Sequence, residues 1–466
     1  MRMTPFRAME AVNALFARLP RGEVKRLLDR REMLSLKHGM FMNSSLGERK
    51  IIPIQLRPWV FSAQQKRFFH RTVLLLGSAL DRLLPLYLQN EAVRRILPLE
   101  PKEREWITRA NQPRLQSPRP VLDRIDATAT FTPADWRENF WFLEPNSVGI
   151  GGVHYIPGTC GVGGDWVGPV LKKHLPALRL RFPDDIRELM RRMFLAHARA
   201  LGGKLRRVVL IEDQSEPGGT EEFPQVARFL KRHGMDALVA DPGAVVLRRG
   251  ALVVRGKPVD LVYRDTELRD LVRMAPRRVA GVREAFHRNR VISALAGDLD
   301  HKSTWELFTN PEFSKHFTLS QRRLFREHVL WTRLIFPRKT TDPKGKRVEL
   351  TAFLRRHREK LTIKPNRAYG GEGVLFGHAA TQAAWEKEIA CALRAPGTHV
   401  VQQTVSVRSE LFPVADAAGR VRLTPFYAVT GFAATRDGIA ILGRSSREQV
   451  VNVSRRGGLI PVWALG

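Results

Sequence analysis

Cysteine is nearly absent: Cys160 and Cys391 are the only two in 466 residues. Two thiols cannot build a disulfide framework or a zinc cluster, and the scarcity points to a reducing compartment. No apolar run reaches membrane-spanning length, since the longest, near residues 72–88, is interrupted by Asp81 and Arg82. The first 21 residues carry Arg2, Arg7 and Arg18 without an apolar stretch or small-residue cleavage site, so they do not read as a secretory signal. The expectation is a soluble cytoplasmic protein. There is no fixed-period repeat and no low-complexity segment. H-E-x-x-H and G-x-S-x-G are both missing, which removes a zinc-protease helix and a hydrolase nucleophile elbow.

Acid is also short. The chain has 78 Lys+Arg against 46 Asp+Glu, a net charge of +32. Such an excess attracts polyanions such as nucleic acid, nucleotides or acidic metabolites. No block of five or more consecutive basic residues occurs, however, and pairs such as Arg191-Arg192 and Arg322-Arg323 read as solvated helix faces. A nucleic-acid surface is therefore the weaker reading. The 43% hydrophobic content excludes a disordered chain and is enough for a sizeable core.

Along the chain, the first hundred residues read as mainly helical, with Pro85 kinking or ending a helix. Residues 117–120 (Ser-Pro-Arg-Pro) form a break. Residues 121–132 alternate, and residues 139–145 form a second extended run rich in Phe and Trp; the two read as neighbouring strands. The glycines between 149 and 164 read as a long loop, with Cys160 exposed in it as a bland small residue. A helix opens after Pro183-Asp184-Asp185, with Ile186, Leu189, Met190, Met193 and Phe194 as its buried stripe. Residues 203–290 then read as a small Rossmann-like unit with strands at 206–212, 237–240 and 259–264 and a hairpin around Arg249-Gly250. No G-x-G-x-x-G follows its first strand, so it is not assigned to dinucleotide binding. Helices are expected at 305–308, 319–329 and 381–394, and strands at 361–365, 400–405 and 424–433.

Two segments could carry chemistry. In the first, a strand ends at Lys364 and runs into Pro365-Asn366-Arg367-Ala368-Tyr369-Gly370-Gly371-Glu372-Gly373. A loop so rich in glycine lets backbone N–H groups approach phosphate oxygens, and the lysine adds a point charge. It does not match G-x-x-x-x-G-K-[ST], so it is not a P-loop; the plain alternative is a glycine hairpin beside a surface lysine. In the second, Arg124 and Asp126 share one face of a strand, and Glu144 and Asn146 share one face of the next. Oxygen donors from adjacent strands suit Mg2+, and a fixed arginine suits a transferring phosphate. The plain alternative here is a buried Arg–Asp pair and a loop Asn. His301 and His316 read as surface or hydrogen-bonded structural histidines.

In order, these segments resemble the circularly permuted ATP-grasp proteins, carboxylate–amine ligases similar to the synthetase domain of glutathionylspermidine synthetase. The resemblance rests on Arg124-x-Asp126, Glu144-x-Asn146, Val259-Asp260-Leu261-Val262-Tyr263-Arg264, Asp300-His301-Lys302, Ile363-Lys364-Pro365 and the Tyr369–Val374 glycine loop, residues 369–374. Val400-Val401-Gln402-Gln403 resembles the hinge strand whose backbone faces adenine, and residues 443–458 resemble the closing segment. Two departures stand out: the spacing from Asp126 to Glu144 is long, and His301 interrupts the Asp–Lys pair.

The resemblance implies an α/β (α+β) ATP-grasp fold in circularly permuted order. A mainly helical N-terminal region (1–115) would precede a half bearing the metal strands (116–202), a Rossmann-like pre-ATP-grasp unit (203–290) and a nucleotide-binding half (291–466). It implies a carbon–nitrogen ligase that makes an amide through an acyl phosphate and uses ATP and Mg2+. Asp126, Glu144 and Asn146 would bind the metal. Lys302, Lys364, Tyr369, Gly370, Gly371, Gly373 and Gln402 would bind the nucleotide, and Arg124 and Lys364 would be catalytic. The partners would be a small-molecule or peptide carboxylate, acidic in keeping with the charge, and an amine, with no membrane. Competing readings are a basic nucleic-acid-binding protein and a non-catalytic ATP-binding protein, or an enzyme whose substrates arrive with a partner protein.

Overall fold

The computed structural model describes residues 3–110, 119–128, 131, 135–215, 218–451 and 457–466. Part of the break at 117–120, the end of the expected strand at 121–132 and residues 452–456 of the closing segment lie outside the described residues. The fold is mixed α/β.

Among the described residues, six helices lie before residue 111, together with three short strands. The helix Ala63–Leu80 opens with a reciprocal capping box between Ser62 and Gln65, which satisfies two otherwise orphaned backbone donors. It stops at Asp81, and the next helix, Leu83–Gln89, holds Pro85 in its first turn, where no N–H is needed.

Three sheets position everything that follows. The first is wholly parallel, with Val291–Ile292, Leu261–Arg264, Arg207–Ile211 and Asp236–Ala240 side by side. Val208 to Ile211 are fully buried, as expected of a strand covered on both faces. The helices Ile186–Ala200 and Glu222–Arg232 flank this Rossmann-like sheet, and Asp185 caps the former.

The second sheet is antiparallel and joins distant parts of the chain. Its order is Gly458–Ile460, Gly438–Ser446, Val421–Thr435, Arg124–Ala127 and Phe142–Asn146, with Ser409–Ala415 also paired to Val421–Thr435. Strand alternation divides its residues cleanly. Ile125 lies opposite Phe432, and that face packs on the helix Ala63–Leu80 through Phe69, whose ring lies 4.8 Å from Phe432 and 5.3 Å from Phe140. Each buried ring stabilises the fold by roughly 1.5–3 kcal/mol. Arg124 and Asp126 are therefore turned to the opposite face.

The third sheet orders Thr332–Leu334, His399–Gln403, Leu361–Pro365 and Leu375–Phe376, all antiparallel. Leu361, Ile363 and Val401 point into a separate small core with Trp385, Leu354 and Ile389. Thr362, Lys364 and Gln402, at the intervening positions, consequently face the other way. The chain closes on itself: Val462–Leu465 runs parallel to Trp59–Phe61 and antiparallel to Leu180–Arg181.

Two expectations fail here. Only the first part of the glycine-rich stretch is loop; its second part is the buried helix Tyr155–Trp166. Its glycines allow close approach rather than flexibility. A Cβ on Gly158 would stand 2.4 Å from the Met40 sulfur, and one on Gly161 2.7 Å from the His38 ring. Cys160 is accordingly buried inside this helix, with Sγ 3.5 Å from the Val462 carbonyl, and is not an exposed loop thiol. Among the described residues, no helix is long and apolar enough to cross a membrane.

Candidate functional site

The register of one strand pair builds the first wall. Asp126 lies opposite Glu144 and Arg124 opposite Asn146, so all four side chains leave the sheet on the same face. On the other side of Asp126 the opposite residue is Gly431. A Cβ there would lie 2.8 Å from Arg124 Cδ and 3.0 Å from Asp126 Oδ1, so glycine leaves room for the pair. Arg444, one strand further, reaches across this gap.

Asp126 is consequently held by two guanidinium groups. Arg124 Nε donates to Oδ1 at 3.0 Å, and Arg444 Nη2 lies 2.7 Å from Oδ2. Burial alone would push this carboxyl up, but Arg124 and Arg444 together hold it below its ordinary value. Arg124 is fixed further by Nη1 to the Gly151 carbonyl at 2.6 Å. Asn146 donates Nδ2 to the Arg124 carbonyl at 3.1 Å, which leaves its oxygen as an acceptor.

The second wall comes from the third sheet and the segment before it. Lys302 Nζ donates to the Ala368 carbonyl at 2.6 Å and lies 3.4 Å from Glu144 Oε2. Lys364 Nζ donates to Gln402 Oε1 at 2.7 Å. Burial lowers the Lys364 pKa to about 8, with Glu144 and Asp126 opposing and Lys302 adding to the shift. The two walls enclose one cavity of about 320 Å3. Leu143, Val374, Phe376, Val405 and Val407 give it an apolar part.

Of the residues singled out from the sequence, Arg124, Asp126, Glu144, Asn146, Lys302, Lys364, Tyr369, Gly370, Gly371 and Gln402 line this cavity; Gly373 does not. The glycine loop follows Lys364 directly. Gly371 has φ +70, and a Cβ there would lie 2.3 Å from a Val450 methyl, so glycine is favoured there. Tyr369 sits under the Arg269 guanidinium, 4.8 Å from the ring centre.

Three readings need correction. Gln402 does not offer its backbone to the cavity: it lies within the sheet between Thr362 and Thr332. Its side chain is what faces in, with Nε2 donating to the Leu143 carbonyl at 3.2 Å and to Thr332 Oγ1 at 3.0 Å. Residues past the strand end, Thr404, Val405 and Val407, line the cavity instead. Asp126, expected as a metal ligand, has its oxygens occupied by two arginines. His301 is buried, not at the surface, and makes no well-formed hydrogen bond beyond a weak approach to the Asp298 backbone.

Among the described residues, no group of three or more His, Cys, Asp or Glu side chains is arranged to hold a metal. Glu144 and Asn146 still offer oxygens on one face. That donor set fits a magnesium ion bound mainly by phosphate and water, with one or two protein oxygens; it does not fit a cage of three protein ligands.

Comparison with known proteins bears on the fold. No family's sequence profile matches the chain, and no curated protein does. A glutathione synthetase-like effector from Globodera pallida, solved in apo form, superposes with a TM-score of 0.65 over 97% of this chain and 99% of its own, at 10% identity. A protein assigned as a gamma-glutamylcysteine synthetase from Methylobacillus flagellatus overlaps with a TM-score of 0.37, over 83% of this chain and 87% of that one, at 11% identity.

The chain has a glutathione synthetase-like fold.

Within this synthetase-like frame, two residues that the sequence reading left unassigned hold the site together. Arg444 is one, as described. Glu222 is the other: its carboxylate accepts from the backbone N–H groups of Gly152 (2.7 Å), His154 (2.6 Å) and Tyr155 (3.2 Å). It thereby fixes the loop that lines the cavity and caps the helix Tyr155–Trp166. Burial pushes its pKa up to about 7 despite those three donors. No local spacing flags Glu222, because its partners lie some 70 residues earlier.

Proposed function

We propose that this protein is an ATP-dependent carboxylate–amine ligase. In this reading ATP lies in the 320 Å3 cavity, with its adenine against the apolar part and its phosphates between the two walls. The observation that supports it most is the meeting of Lys302 and Lys364 with Glu144, Asn146 and Arg124 around one space. Phosphoryl transfer needs positioning and charge neutralisation more than covalent help, and this set supplies both.

Glu144 and Asn146 would hold Mg2+, whose chemistry is to neutralise and orient phosphate oxygens. A substrate carboxylate oxygen attacks the γ-phosphorus, and ADP leaves with the electrons of the broken P–O bond. An amine then attacks the acyl carbon, phosphate departs, and the amine proton passes to solvent or phosphate. Lys302 and Lys364 neutralise the phosphates from one side. Arg124 stabilises charge on the acyl phosphate and its tetrahedral successor. Asp126 keeps Arg124 and Arg444 side by side. The acyl donor in this reading is an amino acid or peptide carboxylate, acidic in keeping with the +32 charge.

The test is ADP release by purified protein with Mg-ATP and panels of acidic peptides and amines, with hydroxylamine present to trap an acyl phosphate. Lys364→Ala and Glu144→Ala should each lower the rate at least about 100-fold, the scale of losing one such charged contact. Turnover indifferent to both changes sinks the assignment. ATP binding without ADP release under any pairing marks a non-catalytic nucleotide-binding protein. Nucleic-acid binding that weakens steeply with salt, with no ATP binding, marks the other class.

A further inference from the structure

A second cavity lies outside this cleft. It encloses about 410 Å3, within the usual range for ligand sites. Three separate elements wall it: the helix Glu91–Ile96, the turn Pro311–His316, and the hairpin formed by Lys339–Thr341 and Arg347–Glu349. The hairpin belongs to the lobe that carries Lys364; the helix belongs to the N-terminal region.

Its charge is lopsided. Arg95, Arg338, Lys339 and Arg347 line it, with Glu312 as the one opposing carboxylate. Arg338 is committed elsewhere, with Nη2 2.7 Å from the buried Glu306 carboxylate. Arg95, Lys339 and Arg347 have no carboxylate within ion-pair distance among the described residues. Many other arginines do have one: Arg191 and Arg192 share Glu188, and Arg278 bridges Asp213 and Asp241. Three uncommitted cations from two of these elements, the helix and the hairpin, facing one concavity, concentrate positive potential there, because the protein walls focus the field.

We propose that this cavity binds a compact polyanion, either phosphate-bearing or a polycarboxylate. Two guanidinium groups and an ammonium match oxyanions, since each guanidinium can present two parallel donors. An occupant contacting Arg95 and Arg347 together ties the hairpin of the lysine-bearing lobe to the N-terminal helix. The proposal does not depend on the ligase reading.

The experiment is acetylation footprinting of the full chain by an amine-reactive ester, read by mass spectrometry, with pyrophosphate and citrate as separate probes. Lys339 should acetylate several-fold more slowly in the presence of at least one probe, while Lys344 at the tip of the same hairpin keeps its rate. Whichever anion acts at the lower concentration identifies the class. Protection should vanish in the Arg95→Glu, Arg347→Glu double variant and persist in Arg248→Glu, Arg249→Glu, which carries the same charge change on a distant hairpin. Unchanged Lys339 reactivity with both anions overturns the proposal. So does equal slowing of Lys339 and Lys344, which indicates screening only, or protection that survives the first double variant.

Discussion

Lys364 carries a charge set by opposing neighbours. Its ammonium is buried, it faces Glu144 and Asp126 as well as Lys302, and its pKa falls to about 8. The sign follows directly. The charged form predominates below pH 8 and is lost above it, and phosphate selects the charged form. ATP affinity in the proposed reading should therefore be flat below pH 8 and fall by up to about tenfold per pH unit above it. Lys364→Arg keeps its charge throughout, so its affinity should stay level to pH 9.5. Isothermal titration across that range is the measurement, and a flat wild-type profile removes Lys364 from the phosphate site. Gly431 supplies a second test. A Cβ there would press on Arg124 and Asp126 at 2.8 and 3.0 Å, and Asp126 also binds Arg444. Gly431→Ala should destabilise the fold by about 1–3 kcal/mol, read as a lower denaturant midpoint. An unchanged midpoint means that the arginine pair has slack.

At the scale of elements, what the sequence disclosed depended on how local the cause was. Arg124 with Asp126, and Glu144 with Asn146, were legible because strand alternation makes every second residue share a face. Lys364 was legible because a strand ends beside it and a glycine-rich loop follows directly. The glycines at 158, 161, 163 and 164 were misread as a loop. Glycine at a tight helix contact and glycine in a turn look alike without the neighbour, and here the neighbours are Met40, His38, Pro461, Trp463 and Phe182. Arg444 and Glu222 stayed hidden because each acts across a register or a loop set hundreds or tens of residues away. Glu222 has a measurable signature. Its folded pKa of about 7 exceeds the ordinary 4.5, so the folded state holds the proton longer. Stability should then fall as pH rises from about 4.5 to 7, by roughly 1–3 kcal/mol from this group. Glu222→Gln is less stable at low pH because an amide N–H meets backbone N–H groups, but its stability should lose that part of the slope. Urea midpoints at pH 5, 6 and 7.5 separate the two effects, and parallel wild-type and variant curves disprove the assignment.

For the whole molecule, the decisive feature is that early and late segments are interleaved. Arg124–Ala127 is sandwiched between Phe142–Asn146 and Val421–Thr435, so the arginine–carboxylate wall is complete only when residues three hundred positions apart have paired. The chain ends are locked in the same way: Val462 and Trp463 are buried, and their strand lies between Trp59–Phe61 and Leu180–Arg181. Trp463 also packs against Gly163 of the helix Tyr155–Trp166, whose first turn is held by Glu222 beside the cavity. The final strand is thus tied mechanically to the cavity loop although it contributes nothing to its lining. Removing residues 461–466 strips away the burial of Val462 and Trp463, about 3–6 kcal/mol, and leaves two strand edges unpaired. Against a domain stability of about 5–15 kcal/mol that is a large fraction. The truncated chain should show a thermal midpoint lower by roughly 3–6 degrees, on the scale expected for such a loss in a chain of this length. Proteolysis should cut first at the 149–154 loop, because that loop is the next element held through the tied helix. A truncation that melts as the full chain does, or one that is cut first at the 366–374 glycine loop, shows that the end strand is an independent appendage and that the site forms without it.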